Sequence, residues 1–264
     1  LVEARQKVRV LVRDPAKASK FGKAVEVVKG DLSKPETLVV AFAGVDKAFV
    51  VANGPELMTL EANAFDAAKK AGIKHIVKLS GRHLDADFMA GAPIAQWHDE
   101  SERRLRNLGI AWTILRPGMF ASNMLIWGVK QQGALFLPMG EGKDTPIDPR
   151  DIASVAAKVL TTPGHEGKVY ELTGPELLSF AEMLQKMAAM IGKPLKYVDV
   201  PEATAREGML ASGVPPALAD SMLRYFAGVK AGQIYPPTST VAELLGRPAR
   251  TFDEWVRDHV VELR

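Results

Sequence analysis

The stretch AWTILRPGMFASN, residues 111–123, decides the fold. An apolar run from Ile110 to Leu115 ends abruptly in Arg116-Pro117-Gly118. A run of that length bounded by turn residues reads as a strand buried in a parallel sheet. Pro117 cannot continue the ladder, and Gly118 lets the backbone approach something closely. In open α/β sheets ligands bind in the crevice beyond the carboxyl ends of the strands. Phe120 and Asn123 follow at once, an aromatic surface and a two-way hydrogen bonder. A strand, a turn and a core helix with no ligand would give the same residues.

Outward from this stretch the chain alternates. Strands are expected at KVRVLV (7–12), closed by Arg13-Asp14-Pro15, and at VEVV (25–28), KAFVVA (47–52) and 73–79, the last three each followed by a turn or loop and a helical segment. Leu1 to Arg5 reads as the end of a helix. Ser33 with Glu36 forms a capping-box pattern before a helix whose buried face would be Leu38, Val39 and Phe42. A helix from about Ala95 to Leu108 places Trp97, Ser101, Leu105 and Leu108 on one face. Near-continuous apolar strands alternating with helices predict an α/β, doubly wound parallel sheet. Beyond Gly133 the rhythm changes. Asp148-Pro149 opens a helix, 168–172 and 195–200 are strands, and Ser179/Glu182 and Thr251/Glu254 are capping boxes. Met183, Met187 and Met190 read as core filling. The expected organisation is a domain over 1–132 and a smaller, mostly helical C-terminal lobe over 133–264, packed on the same fold.

Composition narrows the function classes. The chain has 264 residues, 47% apolar and 25% charged, with a net charge of +3. No dense Lys/Arg block argues for nucleic acid. There is no cysteine, which excludes disulfides, thiolate catalysis and Cys-type zinc sites and suits a cytoplasmic location. No apolar run reaches membrane-spanning length. The histidines show no metal-ligand spacing, and neither a Walker loop nor a serine elbow is present, so no metal is expected.

Several residues at strand ends could carry chemistry. Arg13 stands just past a strand where, in a nucleotide-binding unit, an arginine accommodates the 2′-phosphate of NADP; a surface arginine opening a turn is the alternative. Asp31 and Leu32 end the next strand, beside an adenine ring or simply at a helix turn. Asn53 follows the third strand and Ser80 ends the fourth. Lys78 shares Ser80's face, and a lysine in a buried strand must be paired, reach the crevice or snorkel. His98 and Glu102, four apart on a helix, make either a proton relay in which Glu102 orients the imidazole, or an ion pair on a solvated face.

Together these segments resemble the NmrA-like branch of the atypical short-chain dehydrogenase/reductases. The likeness rests on VRVLVRDP (8–15), Gly30-Asp31-Leu32, HIVKLSG (75–81), ESERRLRNLGIAWTILRPGMFASN (100–123), TPIDPRDIASVAAKVL (145–160) and KVYELTGPELLSFAEM (168–183). It implies a Rossmann-like domain binding NADP(H), possibly NAD(H), and a reductase passing hydride to a quinone or similar small-molecule acceptor. A non-catalytic redox sensor is the alternative, and a sugar-nucleotide epimerase a more distant one. On this resemblance Arg13 takes the 2′-phosphate and Asp31 and Leu32 the adenine side. Asn53, Lys78, Ser80, Pro117, Gly118, Met119 and Phe120 take the nicotinamide half. Trp97, Phe120 and Asn123 line the acceptor pocket, and His98 is the proton donor. Two features depart from the pattern. The family's opening strand and Gly-rich turn are absent, so a missing N-terminal piece of roughly 20 residues is expected, with its apolar neighbours left uncovered. The superfamily's Tyr-x-x-x-Lys pair is also absent; this chain reads Ile94-Ala-Gln-Trp-His98 there. Hydride transfer to a quinone tolerates that loss because the cofactor carries the difficult chemistry.

Overall fold

Each strand expected up to Pro117 forms, and each pairs in parallel. In chain order the first half comprises β1 (Val8–Val12), β2 (Val25–Lys29), α1 (Leu38–Phe42), β3 (Lys47–Val50), α2 (Leu57–Lys70), β4 (His75–Leu79), α3 (Pro93–Arg106) and β5 (Ala111–Pro117). The second half continues with α4 (Asn123–Ile126), α5 (Val129–Gln132), β6 (Ala134–Leu137), β7 (Lys143–Asp144), α6 (Pro149–Thr161) and β8 (Lys168–Leu172). It closes with β9 (Leu178–Ser179), α7 (Phe180–Ile191), β10 (Lys196–Asp199), α8 (Glu202–Ala211), α9 (Pro216–Lys230), α10 (Thr240–Leu245), α11 (Phe252–Asp258) and α12 (Val260–Leu263). The structure, a computed structural model, describes residues 1–264 apart from the side chain of Lys20.

The central sheet has the order β3-β4-β5-β8 and is parallel throughout. Its central strands β4 and β5 are mostly buried on both faces because helices cover both. Ile76 and Ile114 point into the core under α1, α2 and α3, whereas their neighbours Val77 and Leu115 point into the core under α6. That alternation follows from the two-residue period of a strand. β1 and β2 form a separate parallel pair, and no ladder joins β1 to β3. Val27 on β2 and Phe49 on β3 are exposed.

The second half is not set apart from the first. β8 pairs with β5 over Thr113–Pro117, and α6 packs across β3, β4 and β5, so a boundary at residue 132 leaves part of the central sheet on its far side. The remaining helices enclose a separate core in which Phe180, Met183, Met187, Phe226 and Trp255 are fully or almost fully buried. β6 and β10 add a small parallel pair and β7 and β9 an antiparallel one.

Caps form at Ser179/Glu182 and Thr251/Glu254, each with both reciprocal bonds, and Asp148 caps α6. Three local expectations fail. Leu1 to Arg5 is a turn, with Arg5 at φ +55° donating its N–H to Val2. Ser33 does not cap a helix, because its N–H and hydroxyl both donate to Asp31 Oδ1 and Pro35 opens a short 3-10 turn instead. Val39 is exposed; Leu38, Ala41 and Phe42 are the buried residues of α1.

Candidate active site at the strand ends

β1 and β2 end together, since Gly30 N–H donates to Val12 C=O at 3.0 Å. A Cβ on Gly30 would stand 2.6 Å from a Leu11 methyl and 3.1 Å from Thr37 Oγ1, so a larger residue here would require those side chains to shift. Asp31 therefore comes beside Arg13. Its carboxylate accepts the N–H and the hydroxyl of Ser33, which hold it below the usual carboxylate range, and the charge of Arg13 adds to that effect. Arg13 itself is exposed, and among the described residues its guanidinium makes no hydrogen bond. Leu32 is half-buried and its C=O accepts from Asn63. Asn53, just past β3, is exposed with its amide free.

On the other side of the break, the chain past β4 runs on beside β5: Ser80 N–H donates to Leu115 C=O and Arg82 N–H to Pro117 C=O. Gly118 N–H donates to Leu172 C=O at 2.9 Å. A Cβ on Gly118 would lie 3.3 Å from Thr145 Oγ1, and that buried hydroxyl has no hydrogen-bond partner among the described residues. The Pro117-Gly118 turn thus has a vacant donor beside a residue with no side chain. Met119 turns inward to the core of the C-terminal helices, so its side chain does not face the crevice as expected. Phe120 is half-buried and packs on the α6 side.

Beneath these ends lies a buried polar network. Lys78 Nζ sits 2.6 Å from Glu61 Oε2, both side chains being wholly sealed from solvent. Glu61 also accepts from Ser101. Burial pushes the Glu61 carboxyl up and the Lys78 ammonium down, each opposed by the other's charge. Lys78 neither reaches the crevice nor snorkels, because a carboxylate inside the fold satisfies it; it is not a direct cofactor ligand.

His98 Nδ1 lies 3.3 Å from both Lys78 Nζ and Ser80 Oγ. An ammonium can only donate, so Nδ1 accepts and the ring carries its proton on Nε2. Burial, reinforced by the charge of Lys78, lowers the imidazole to about 3, so it is neutral. Two expectations about this helix fail together. Glu102 does not orient His98, because its oxygens already accept from Ser80 (2.7 Å), Arg106 (2.9 Å) and Arg116 (2.8 and 3.1 Å). Nor is the pair on a solvated face, since both residues are buried. The same burial makes the neutral imidazole, not the imidazolium, the resting form of His98.

His98 opens onto a cavity of about 210 Å³ whose walls include Leu84, Asp85, Met89, Gln96, Glu102 and Arg116. Trp97, Phe120 and Asn123 are not among its lining residues. Trp97 is one residue from His98 and so points about 100° away around the helix. No group of acidic or histidine residues among those described could hold a metal ion, and no helix is long and apolar enough to cross a membrane.

Glu61, Ser101, Arg82, His83, Asp144, Thr145 and Tyr225 were not foreseen. The only sequence signal for Glu61 was Lys78 itself, a charge in an apolar strand that demanded a partner.

A family model described as NAD(P)H-binding matches residues 1–163, and the chain belongs to that family. It is 39% identical over 263 residues to the NAD(P)H azoreductase of Xenophilus azovorans, covering 98% of this chain and 91% of that protein. The structure of an NADPH-dependent quinone oxidoreductase from Escherichia coli, complexed with NADPH, is similar at a TM-score of 0.81 and 29% identity, covering 96% of this chain and 90% of that one. The negative transcriptional regulator NmrA in complex with NADP matches at a TM-score of 0.73 and 18% identity over 95% of this chain and 86% of that one, a likeness of fold. The protein is thus an NAD(P)H-dependent reductase of Rossmann-like fold. Its strand ends suit the cofactor: Arg13 offers a free cation beside Asp31, and Thr145 a free hydroxyl beside Gly118.

Proposed function

We propose that this chain is an NADP(H)-preferring reductase whose acceptor is a quinone or a related planar electrophile such as an azo compound. The observation that carries the cofactor preference is the exposed, unbonded guanidinium of Arg13 at the shared end of β1 and β2. A planar cation there discriminates for a 2′-phosphate and against a bare ribose hydroxyl. The azoreductase and quinone oxidoreductase relatives support the acceptor class.

Arg13 would hold the 2′-phosphate, with Asp31 and Leu32 flanking the adenine. Asn53 and the Pro117–Phe120 backbone, with Thr145, would hold the nicotinamide half. NADPH supplies a hydride, hence two electrons and one hydrogen; a quinone takes these and needs a proton to reach the hydroquinone level. Ser80 and His98 lie on the route for that proton. Ser80 Oγ, at the end of β4, would give its proton to the reduced acceptor and regain one from His98, which takes up its Nδ1–H tautomer for that step and is resupplied at Nε2 from the cavity beside it. The network below holds the ring in one orientation, and its resting form carries the proton on Nε2.

The test is multiple-turnover oxidation of NADPH and NADH with 1,4-naphthoquinone and with an azo dye, alongside calorimetry of both cofactors. Turnover with NADPH preferred supports the reading. Tight NADPH binding with no turnover on either acceptor replaces it with a sensor. Equal affinity for the two cofactors removes the role of Arg13.

A further inference from the structure

His83 is the most anomalous side chain near the strand ends. It follows Arg82, whose N–H makes the last bond to Pro117, so it adjoins the turn assigned to the nicotinamide half. His83 is 1% exposed, yet among the described residues neither ring nitrogen has a hydrogen-bond partner. Its backbone is left-handed at φ +63°, uncommon for any residue with a side chain. Two unpaired polar atoms inside a protein and a strained backbone are both unfavourable.

The surroundings form a slot for a flat ring. Tyr235 lies against His83 with ring centroids 4.8 Å apart, and Phe88 and Tyr225 follow at 6.0 and 6.3 Å. Phe88 and Tyr225 are held in place. Phe88 packs so tightly on α9 that a Cβ on Gly228 would overlap it, and Tyr225 donates to the buried Asp144 at 2.6 Å. Tyr235 differs. It is 46% exposed and belongs to the irregular stretch between α9 and α10; Arg82 donates to its C=O and to that of Pro236 and places its guanidinium 5.8 Å from the ring centroid, but among the described residues the Tyr235 hydroxyl makes no hydrogen bond. Burial, with the charge of Arg82 beside it, lowers His83 to about 4. The imidazole is therefore neutral near pH 7, with one N–H to give and one lone pair to receive.

We infer that His83 recognises the acceptor: a planar aromatic electrophile takes the place of the Tyr235 ring and accepts a hydrogen bond from the His83 N–H through its carbonyl oxygen or azo nitrogen. The inference rests on the reductase reading and adds the residue that selects the acceptor and the place where the acceptor's ring sits. His83 supplies recognition, while the proton route through Ser80 and His98 lies on the α3 side.

The experiment compares wild type, His83→Phe, His83→Gln and Tyr235→Ala. Binding of 1,4-naphthoquinone to the NADP⁺-loaded protein is read by tryptophan fluorescence quenching, and turnover by NADPH oxidation. His83→Phe keeps the ring and removes the donor, so Kd and KM for the quinone rise about ten-fold, the order expected for one lost hydrogen bond, with kcat and NADPH affinity within about two-fold. His83→Gln returns an N–H and recovers most of the loss. Tyr235→Ala speeds quinone association, because no ring has to leave. Thermal melting of each variant separates recognition from folding; a purely structural His83 lowers Tm without splitting KM from kcat. Unchanged quinone binding in His83→Phe overturns the inference and leaves the reductase reading intact. Quinone binding that depends on His83 without any turnover keeps the inference and overturns the reductase reading. A wild type that binds no quinone overturns both.

Discussion

Lys78 and Glu61 form an ion pair at 2.6 Å with neither side chain exposed, joining β4 to α2 beneath the strand-end crevice. Such a pair stabilises little in itself, because desolvating two charges offsets their attraction, but removing one partner strands the other. Lys78→Met is therefore expected to cost about 3–5 kcal/mol in urea unfolding, whereas Lys78→Met with Glu61→Leu recovers most of it. A single variant as stable as wild type would show that Glu61 is already protonated in the fold.

The neutrality of His98 has a direct signature. Its pKa is depressed from 6.5 to about 3, so the stability it contributes is present above pH 6.5 and is lost as pH falls toward 3. Nitrogen-15 NMR should show one imidazole, absent from His98→Ala, that stays neutral with its proton on Nε2 from pH 8 down to pH 5. His98→Ala is expected to lower kcat with the quinone. Unchanged kcat across that range would remove His98 from the proton route.

Asp144 predicts the opposite pH dependence. Burial raises its carboxyl from 3.8 to about 6, opposed by the Tyr225 hydroxyl and the Thr145 N–H. A raised folded-state pKa means that its contribution is full below pH 3.8 and is lost as pH rises through 6. A shift of this size corresponds to about 3 kcal/mol. Asp144→Asn should thus gain on wild type by that order between pH 4 and pH 7, in paired denaturation curves. A pH-independent difference would place the proton elsewhere.

Arg13 is the residue on which the choice of nicotinamide cofactor turns. Arg13→Ala should weaken NADPH about ten- to a hundred-fold in calorimetry, the range of a charge-assisted hydrogen bond to phosphate, and leave NADH within about two-fold. Parallel loss of both cofactors would mean that the substitution disturbs the β1–β2 end itself.

Much of this architecture was legible in the residue order. Strand period and length are local properties, so AWTILRP, HIVKL and KVRVLV announced buried parallel strands, and Ser179/Glu182 and Thr251/Glu254 announced helix starts. The capping box at Ser33 failed because Asp31 competed for the same serine and Pro35 bent the chain first. The site was only half legible. That Arg13, Asp31 and Pro117-Gly118 stand at strand ends was legible because position at a strand end follows from the strand itself. His98 and Glu102 were rightly placed on one helix, but their partners were not.

The sequence by itself determined the class of fold, the parallel sheet, the strand ends where a ligand belongs and the demand that Lys78 find a counter-charge. Tertiary structure decided which groups answer. Glu61 meets Lys78 because α2 packs over β4, and Ser80 rather than Glu102 meets His98 because Arg116 and Arg106 have already filled the carboxylate. His83 stands beside Tyr225 and Tyr235, more than a hundred residues away in the chain, because α9 folds back over the loop after β4. Charge pairing and ring stacking act over a few ångströms in space, and only the packing of distant segments sets which residues come that close.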